Sequence, residues 1–68
     1  MTSRSYKGCA VVWSRAPRGA RLSMQRIRNN RGIHMGDTGL VISQNVTELH
    51  VLINGRMEYF QASEVDVL

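Results

Sequence analysis

Arginine is the residue type in this 68-residue sequence whose side chains are best suited to ligand binding. Residues 1–36 hold eight basic side chains and no acidic one, whereas residues 37–68 hold five acidic side chains and only Arg56 as a base. Guanidinium groups bind phosphate through paired hydrogen bonds and stack on bases, so this segregation predicts a polarised surface that favours nucleic acid. The predicted contacts are Arg18, Arg21, Arg26, Arg28 and Arg31, with Arg15, Lys7 and His34 at the rim. The alternative is a solvated basic loop that only aids solubility.

Groups for catalysis or metal binding are sparse. Cys9 is the only cysteine, His34 and His50 are the only histidines, and the five carboxylates are scattered through the second half. A catalytic site needs paired groups within reach of one another, and no residues here have metal-ligand spacing or form a phosphate-binding glycine loop. We therefore predict a protein that is not an enzyme and uses no cofactor or metal. A single cysteine and the lack of a long apolar run predict a cytoplasmic setting without membrane contact.

A β-hairpin is the clearest structural element that the sequence predicts. Asn54-Gly55 tolerates positive φ at both central positions of a two-residue type I′ turn. The resulting register pairs Leu49 with Phe60, His50 with Tyr59, Val51 with Glu58, Leu52 with Met57, and Ile53 with Arg56. Leu49, Val51, Ile53 and Phe60 would face the core.

The opposite face of this hairpin carries His50, Leu52, Met57 and Tyr59 and is more apolar than a solvated surface requires. Two explanations are open. Either the basic residues after the first strand fold across it, or it is a self-association or partner-docking surface.

The other elements are read from shorter patterns. Residues 1–5 are expected to be flexible, and residues 7–14 form a first strand with Val11 and Trp13 on one side. Residues 16–35, the basic segment, are expected to be a long, mostly irregular loop with a little strand or helix in it, since residues 20–30 fit either a strand or one face of a short helix. Residues 40–43 form a second strand, and one 3₁₀ turn after the hairpin leads into a short last strand. Trp13 is expected in the core rather than stacked on a base.

Three segments resemble known small β-barrels. Residues 50–68, HVLINGRMEYFQASEVDVL, look like the distal hairpin, 3₁₀ turn and last strand of SH3-like domains, and residues 6–14 resemble their first strand. Residues 34–43, HMGDTGLVIS, are similar to the core of a KOW motif. The layout also resembles short free-standing phage and bacterial proteins. The resemblance implies an all-β fold, a single SH3-like barrel of about five strands spanning residues 6–68, with the basic segment after the first strand.

The resemblance also bears on function. KOW-type barrels bind RNA or polymerase through loops beside the glycine-containing turn, which by analogy implies Arg26, Arg28, Arg31 and His34. Polyproline recognition is not expected, because Glu48, Gln61 and Glu64 stand where such SH3 domains carry their aromatic and proline groove residues. The run Glu58-Tyr59-Phe60-Gln61 does not match the active-site strand of the plasmid-borne dihydrofolate reductase that shares this barrel.

Two functions follow as expectations. The first is nucleic-acid binding, RNA ahead of DNA, with a steep salt dependence and little sequence specificity. The alternative is a protein–protein adaptor or regulatory subunit, such as a phage-encoded modulator of a host complex. It would dock through His50, Leu52, Met57 and Tyr59, with the basic segment against an acidic surface, or would self-associate there.

Overall fold

A computed structural model describes residues 5–68 of the chain, so the expectation of a flexible terminus falls mainly outside the described residues. The described chain contains five strands, one α-helix and two 3₁₀ turns. In chain order they are β1 (Ala10–Trp13), a 3₁₀ turn (Gly19–Arg21), α1 (Ser23–Asn30), β2 (Thr38–Gln44), β3 (Leu49–Ile53), β4 (Arg56–Phe60), a second 3₁₀ turn (Ala62–Glu64) and β5 (Val65–Val67). The strands form one antiparallel sheet in the order β4-β3-β2-β1-β5.

The predicted hairpin is confirmed in every pair of its register. β3 and β4 pair from Leu49 opposite Phe60 to Ile53 opposite Arg56. Asn54 and Gly55 have φ values of 51° and 77°, as a type I′ turn requires. The 3₁₀ turn and short last strand after the hairpin are also present.

The core lies on the inner face of this sheet. Nine apolar side chains are buried there: Val11, Trp13, Ile33, Val41, Leu49, Val51, Ile53, Phe60 and Val65. Trp13 packs edge-on against Phe60, with ring centroids 5.6 Å apart, and Cys9 is partly buried beside this cluster. At Gly39 a Cβ would lie 2.7 Å from the carbonyl oxygen of Leu52, so glycine permits the close approach of β2 to β3.

The basic segment is more ordered than the sequence predicted. It contains the first 3₁₀ turn and the two-turn helix α1 in place of a mostly irregular loop. The helix ends in a Schellman motif: Gly32 has φ 83° and donates to the Asn29 carbonyl, while Ile33 donates to the Arg28 carbonyl. This ending returns Ile33 to the core, where it is fully buried.

Candidate functional site

Arg28 lies in the interior, which corrects its predicted place among the nucleic-acid contacts. Its side chain has no exposed surface. Nη1 donates to the Glu64 carboxylate and Nη2 donates to the Tyr59 carbonyl at 2.6 Å. Its Cζ lies 4.1 Å from the ring centroid of Phe60 and 4.9 Å from that of Trp13. A phosphate group therefore has no access to this guanidinium.

Glu64 is held in place for this contact by its own 3₁₀ turn. The turn has a capping box in which the Gln61 side chain accepts from the Glu64 backbone N–H and the Gln61 N–H donates to Glu64 Oε1 at 3.0 Å. The carboxylate is almost completely buried, so it needs a cationic partner. Arg28 supplies that charge and ties α1 to the turn before β5.

Three more of the predicted arginines also pair with acids from the second half of the chain. Arg31 Nη1 donates at 2.9 Å to Glu58, which is 2% exposed and faces the core from β4. Arg15 pairs with Asp66 at 3.0 Å.

Arg21 lies between two acids, with Nη1 3.5 Å from Glu48 and Nη2 3.6 Å from Glu64. The basic first half therefore folds against the acidic second half. The predicted division of the surface into a basic and an acidic side is wrong for these four arginines, because their charges are met within the molecule.

Asp37, the remaining acid, is bound at the tip of the hairpin. Its Oδ2 accepts from the His34 backbone N–H at 2.8 Å and from the Asn54 side chain at 2.7 Å. These two hydrogen bonds, the backbone one foremost, lower the pKa of the Asp37 carboxyl below its ordinary 3.8. The His34 side chain itself is exposed.

The lowered pKa predicts that Asp37 makes stability depend on pH in the acid range. Its contribution is fully present above the unfolded-state pKa and is lost as pH falls through the lower folded-state pKa. We expect the free energy of unfolding to decrease on acidification below about pH 4, and less steeply in Asp37→Asn. Urea denaturation of both proteins across this range measures the difference. Identical pH profiles would contradict the contribution of Asp37.

Among the charged side chains of residues 5–68, those with neither an ion pair nor a hydrogen bond are all basic. Four side chains form this set: Lys7, Arg18, Arg26 and Arg56. Asp37 also lacks an ion pair, but its carboxylate accepts two hydrogen bonds. Arg18 and Arg26 are exposed on the basic segment, as predicted for nucleic-acid contacts. Arg31 also leaves half of its side chain exposed beside its bond to Glu58.

A cleft of about 290 Å³ lies between the basic segment and the second 3₁₀ turn. It brings together three of the predicted contacts, Arg15, Arg18 and Arg21, and is called the arginine cleft. Its remaining walls are Ala16, Pro17, Gln61, Ser63 and Glu64. Of these three arginines, Arg18 is the one without an ion pair to residues 5–68.

The outer face of the sheet is apolar and open, so the basic segment does not fold across it. Its members are Leu40, Ile42, His50, Leu52, Met57 and Tyr59. Leu40 lies opposite Leu52, which lies opposite Met57, and each of these side chains is between 42% and 52% exposed. His50 is half-buried, with its ring 4.4 Å from that of Tyr59.

Residues 5–68 contain neither a metal-binding cluster nor a membrane-spanning helix. No group of three His, Cys, Asp or Glu side chains there could hold a metal ion. No helix there has the length and apolarity needed to cross a membrane. No known protein family, curated protein or solved structure matches the chain.

Proposed function

We propose that the protein is a non-enzymatic module that binds the phosphate backbone of nucleic acid. One observation carries this proposal. The side-chain carboxylates all accept hydrogen bonds or form ion pairs, while Arg18, Arg26, Lys7 and Arg56 have no acidic partner within residues 5–68. Four unpaired positive charges outweigh the one carboxylate without an ion pair, Asp37, and an excess of positive charge attracts a polyanion. The chain as a whole has a net charge of +4.

The binding surface centres on the basic segment, with Arg18 and Arg26 as its free guanidinium groups and Arg31 and His34 beside them. Phosphate contacts supply most of the affinity and release counterions, so binding weakens steeply as salt increases. Contacts of this type carry little sequence information. We expect stronger binding to RNA than to DNA because of the resemblance to KOW-type barrels.

The finer fold assignment, an SH3-like barrel, is part of the same proposal. Its support is the antiparallel order in which the last strand, β5, pairs with β1, together with the 3₁₀ turn directly before β5. The close-packed Gly39 in the Gly36-Asp37-Thr38-Gly39 run fits the KOW-like segment.

Reversing the two free charges of the basic segment tests this function. We expect Arg18→Glu combined with Arg26→Glu to lower the affinity for a short single-stranded RNA by at least about tenfold, because two favourable contacts become repulsive. Fluorescence anisotropy at about 50 mM and about 200 mM salt measures both affinity and salt dependence. Neither side chain makes an ion pair in the described structure, so the fold is expected to survive.

The matched control is Lys7→Glu with Arg56→Glu, which makes the same change in net charge outside the basic segment. A smaller loss of affinity in this control supports binding by the basic segment. Equal losses in both pairs would show diffuse attraction, and unchanged binding in both would overturn the proposal.

The outer face supports a second candidate function, docking of a protein partner. The row from β4 to β2 is formed by Met57, Leu52 and Leu40, none of them charged. Exposed contiguous apolar patches mark interaction sites. An uncharged apolar protein surface fits this row, since no charge on it requires an opposite charge.

Introducing a carboxylate into this row tests the second candidate. We expect Leu52→Glu and Met57→Glu to remain folded, because both side chains are exposed, and to abolish any oligomer or partner complex. Light scattering after gel filtration measures the mass, with Val46→Glu, a fully exposed loop position, as the control. A mass and a set of partners unchanged in both outer-face variants would exclude docking there.

A further inference from the structure

We infer that the arginine cleft seats one phosphate group of the bound strand, gripped by Arg18 and Arg21. This inference rests on the proposed function, and it assigns one of the phosphate contacts to the arginine cleft. The cleft volume of about 290 Å³ approaches the lower end of small-ligand sites, which suits a single phosphate with part of its sugar.

Arg15 forms a fixed wall of the cleft and is not a ligand. Its Nε donates to the Ser63 carbonyl and its Nη2 donates to the Val65 carbonyl at 2.8 Å. Both of its Nη groups also bond to Asp66. With its donors engaged, Arg15 holds the start of the basic segment against the second 3₁₀ turn and positions the cleft.

Arg21 is different, because two of its donor atoms make no hydrogen bond to residues 5–68. Its distances to Glu48 and Glu64, 3.5 Å and 3.6 Å, are longer than a normal hydrogen bond. Its Nε and Nη2 are shielded from solvent and make no hydrogen bond to the described residues. These two donors lie on the same edge of the guanidinium, the edge that binds two phosphate oxygens at once. Because this edge is shielded, a phosphate in the cleft reaches it only when the Arg21 side chain turns away from Glu48 and Glu64. The turn exchanges these two long ion pairs for the paired hydrogen bonds that Arg21 lacks.

Arg18 and Glu64 complete the electrostatics of the cleft. Arg18 is exposed and has no ion pair within residues 5–68, so its guanidinium is free to meet the phosphate from the solvent side. The Glu64 carboxylate, which would repel an anion, is bound by Arg28. The Ser63 and Gln61 side chains add neutral polar groups to the wall.

Amide-resolved NMR titration with pyrophosphate, and separately with a short single-stranded RNA, tests this site. We expect saturable shifts from both ligands in residues 15–21 and 61–64. Arg18→Gln and Arg21→Gln should each weaken pyrophosphate binding by roughly tenfold, since each removes a charge-assisted contact. The matched control is Arg56→Gln, which removes the same charge from an exposed position outside both the cleft and the basic segment and should leave pyrophosphate binding unchanged.

The two ligands separate failure of the cleft from failure of the function. RNA binding without pyrophosphate shifts at residues 15–21 and 61–64, or equal weakening by Arg18→Gln and Arg56→Gln, would overturn the cleft while leaving nucleic-acid binding intact. If pyrophosphate bound in the cleft but RNA did not bind, the phosphate that the cleft seats would not belong to a nucleic-acid strand. That result would overturn the proposed function as well. Arg18 is exposed, so Arg18→Gln is expected to fold normally. It therefore tests the cleft even if Arg21→Gln destabilises the fold.

Discussion

Replacing Arg28 with alanine is expected to destabilise the protein by about 3–5 kcal/mol, the cost of breaking a buried ion pair and leaving one charge uncompensated. Glu64 would remain buried without its cation, and the Tyr59 carbonyl and the rings of Trp13 and Phe60 would lose their contacts with the guanidinium. Domains of this size have about 5–15 kcal/mol of stability in total, so this loss is a large part of it. Urea denaturation, followed by the fluorescence of Trp13, measures the change.

Arg26→Ala is the control, because it removes the same charge from an exposed position on the same helix. It should change stability by no more than about 0.5 kcal/mol. Replacing Arg28 and Glu64 together with methionine should cost less than Arg28→Ala, since no unpaired charge is then buried. Equal stability of Arg28→Ala and Arg26→Ala would contradict the buried position of Arg28.

Phe60→Ala is expected to lower the free energy of unfolding by a similar amount, about 3–5 kcal/mol, because it leaves a cavity at the centre of the core. Phe60 is fully buried and contacts both Trp13 and Arg28. Its neighbour Tyr59, on the outer face, is half exposed, so Tyr59→Ala is the control and should cost less. Thermal unfolding of the two variants provides the comparison. If Phe60→Ala were the milder of the two, the assignment of inner and outer faces would be wrong.

The hairpin could be predicted to the residue because its information is local. The pair Asn54-Gly55 sets the turn type, the turn type sets the register, and the register assigns every side chain from Leu49 to Phe60 to a face. The open outer face followed from the same register. What remained undecided was whether the basic segment covers that face, which depends on contacts distant in sequence.

The helix α1 could not be distinguished from a short strand in the sequence because its local signals are weak. It has only eight residues and no side-chain cap at its N-terminus. Isolated helices of this length are marginal in water. Its position depends on tertiary ion pairs, from Arg28 to Glu64 and from Arg31 to Glu58. Its sequence-level marker is Gly32 followed by Ile33, which fits a helix ending that returns to the core.

The charge pattern was ambiguous for a physical reason. A basic half followed by an acidic half suits an external polyanion and equally suits a chain whose two halves pair with each other. The register contained a signal for the second explanation, because it places Glu58 opposite Val51 on the core face. A buried carboxylate requires a cation, and the basic segment is where the chain carries most of its arginines. This reasoning would have identified paired arginines in advance, though not which ones.

An amide-resolved NMR titration with short RNA and DNA at about 50 mM and about 200 mM salt is the most direct test of nucleic-acid binding by the unpaired basic side chains. We expect salt-sensitive shifts concentrated around Arg18 and Arg26, larger with RNA, and unperturbed signals on the outer face. No shifts at the lower salt, or shifts confined to the strands bearing Leu52 and Met57, would contradict the proposed function and point to a protein partner instead.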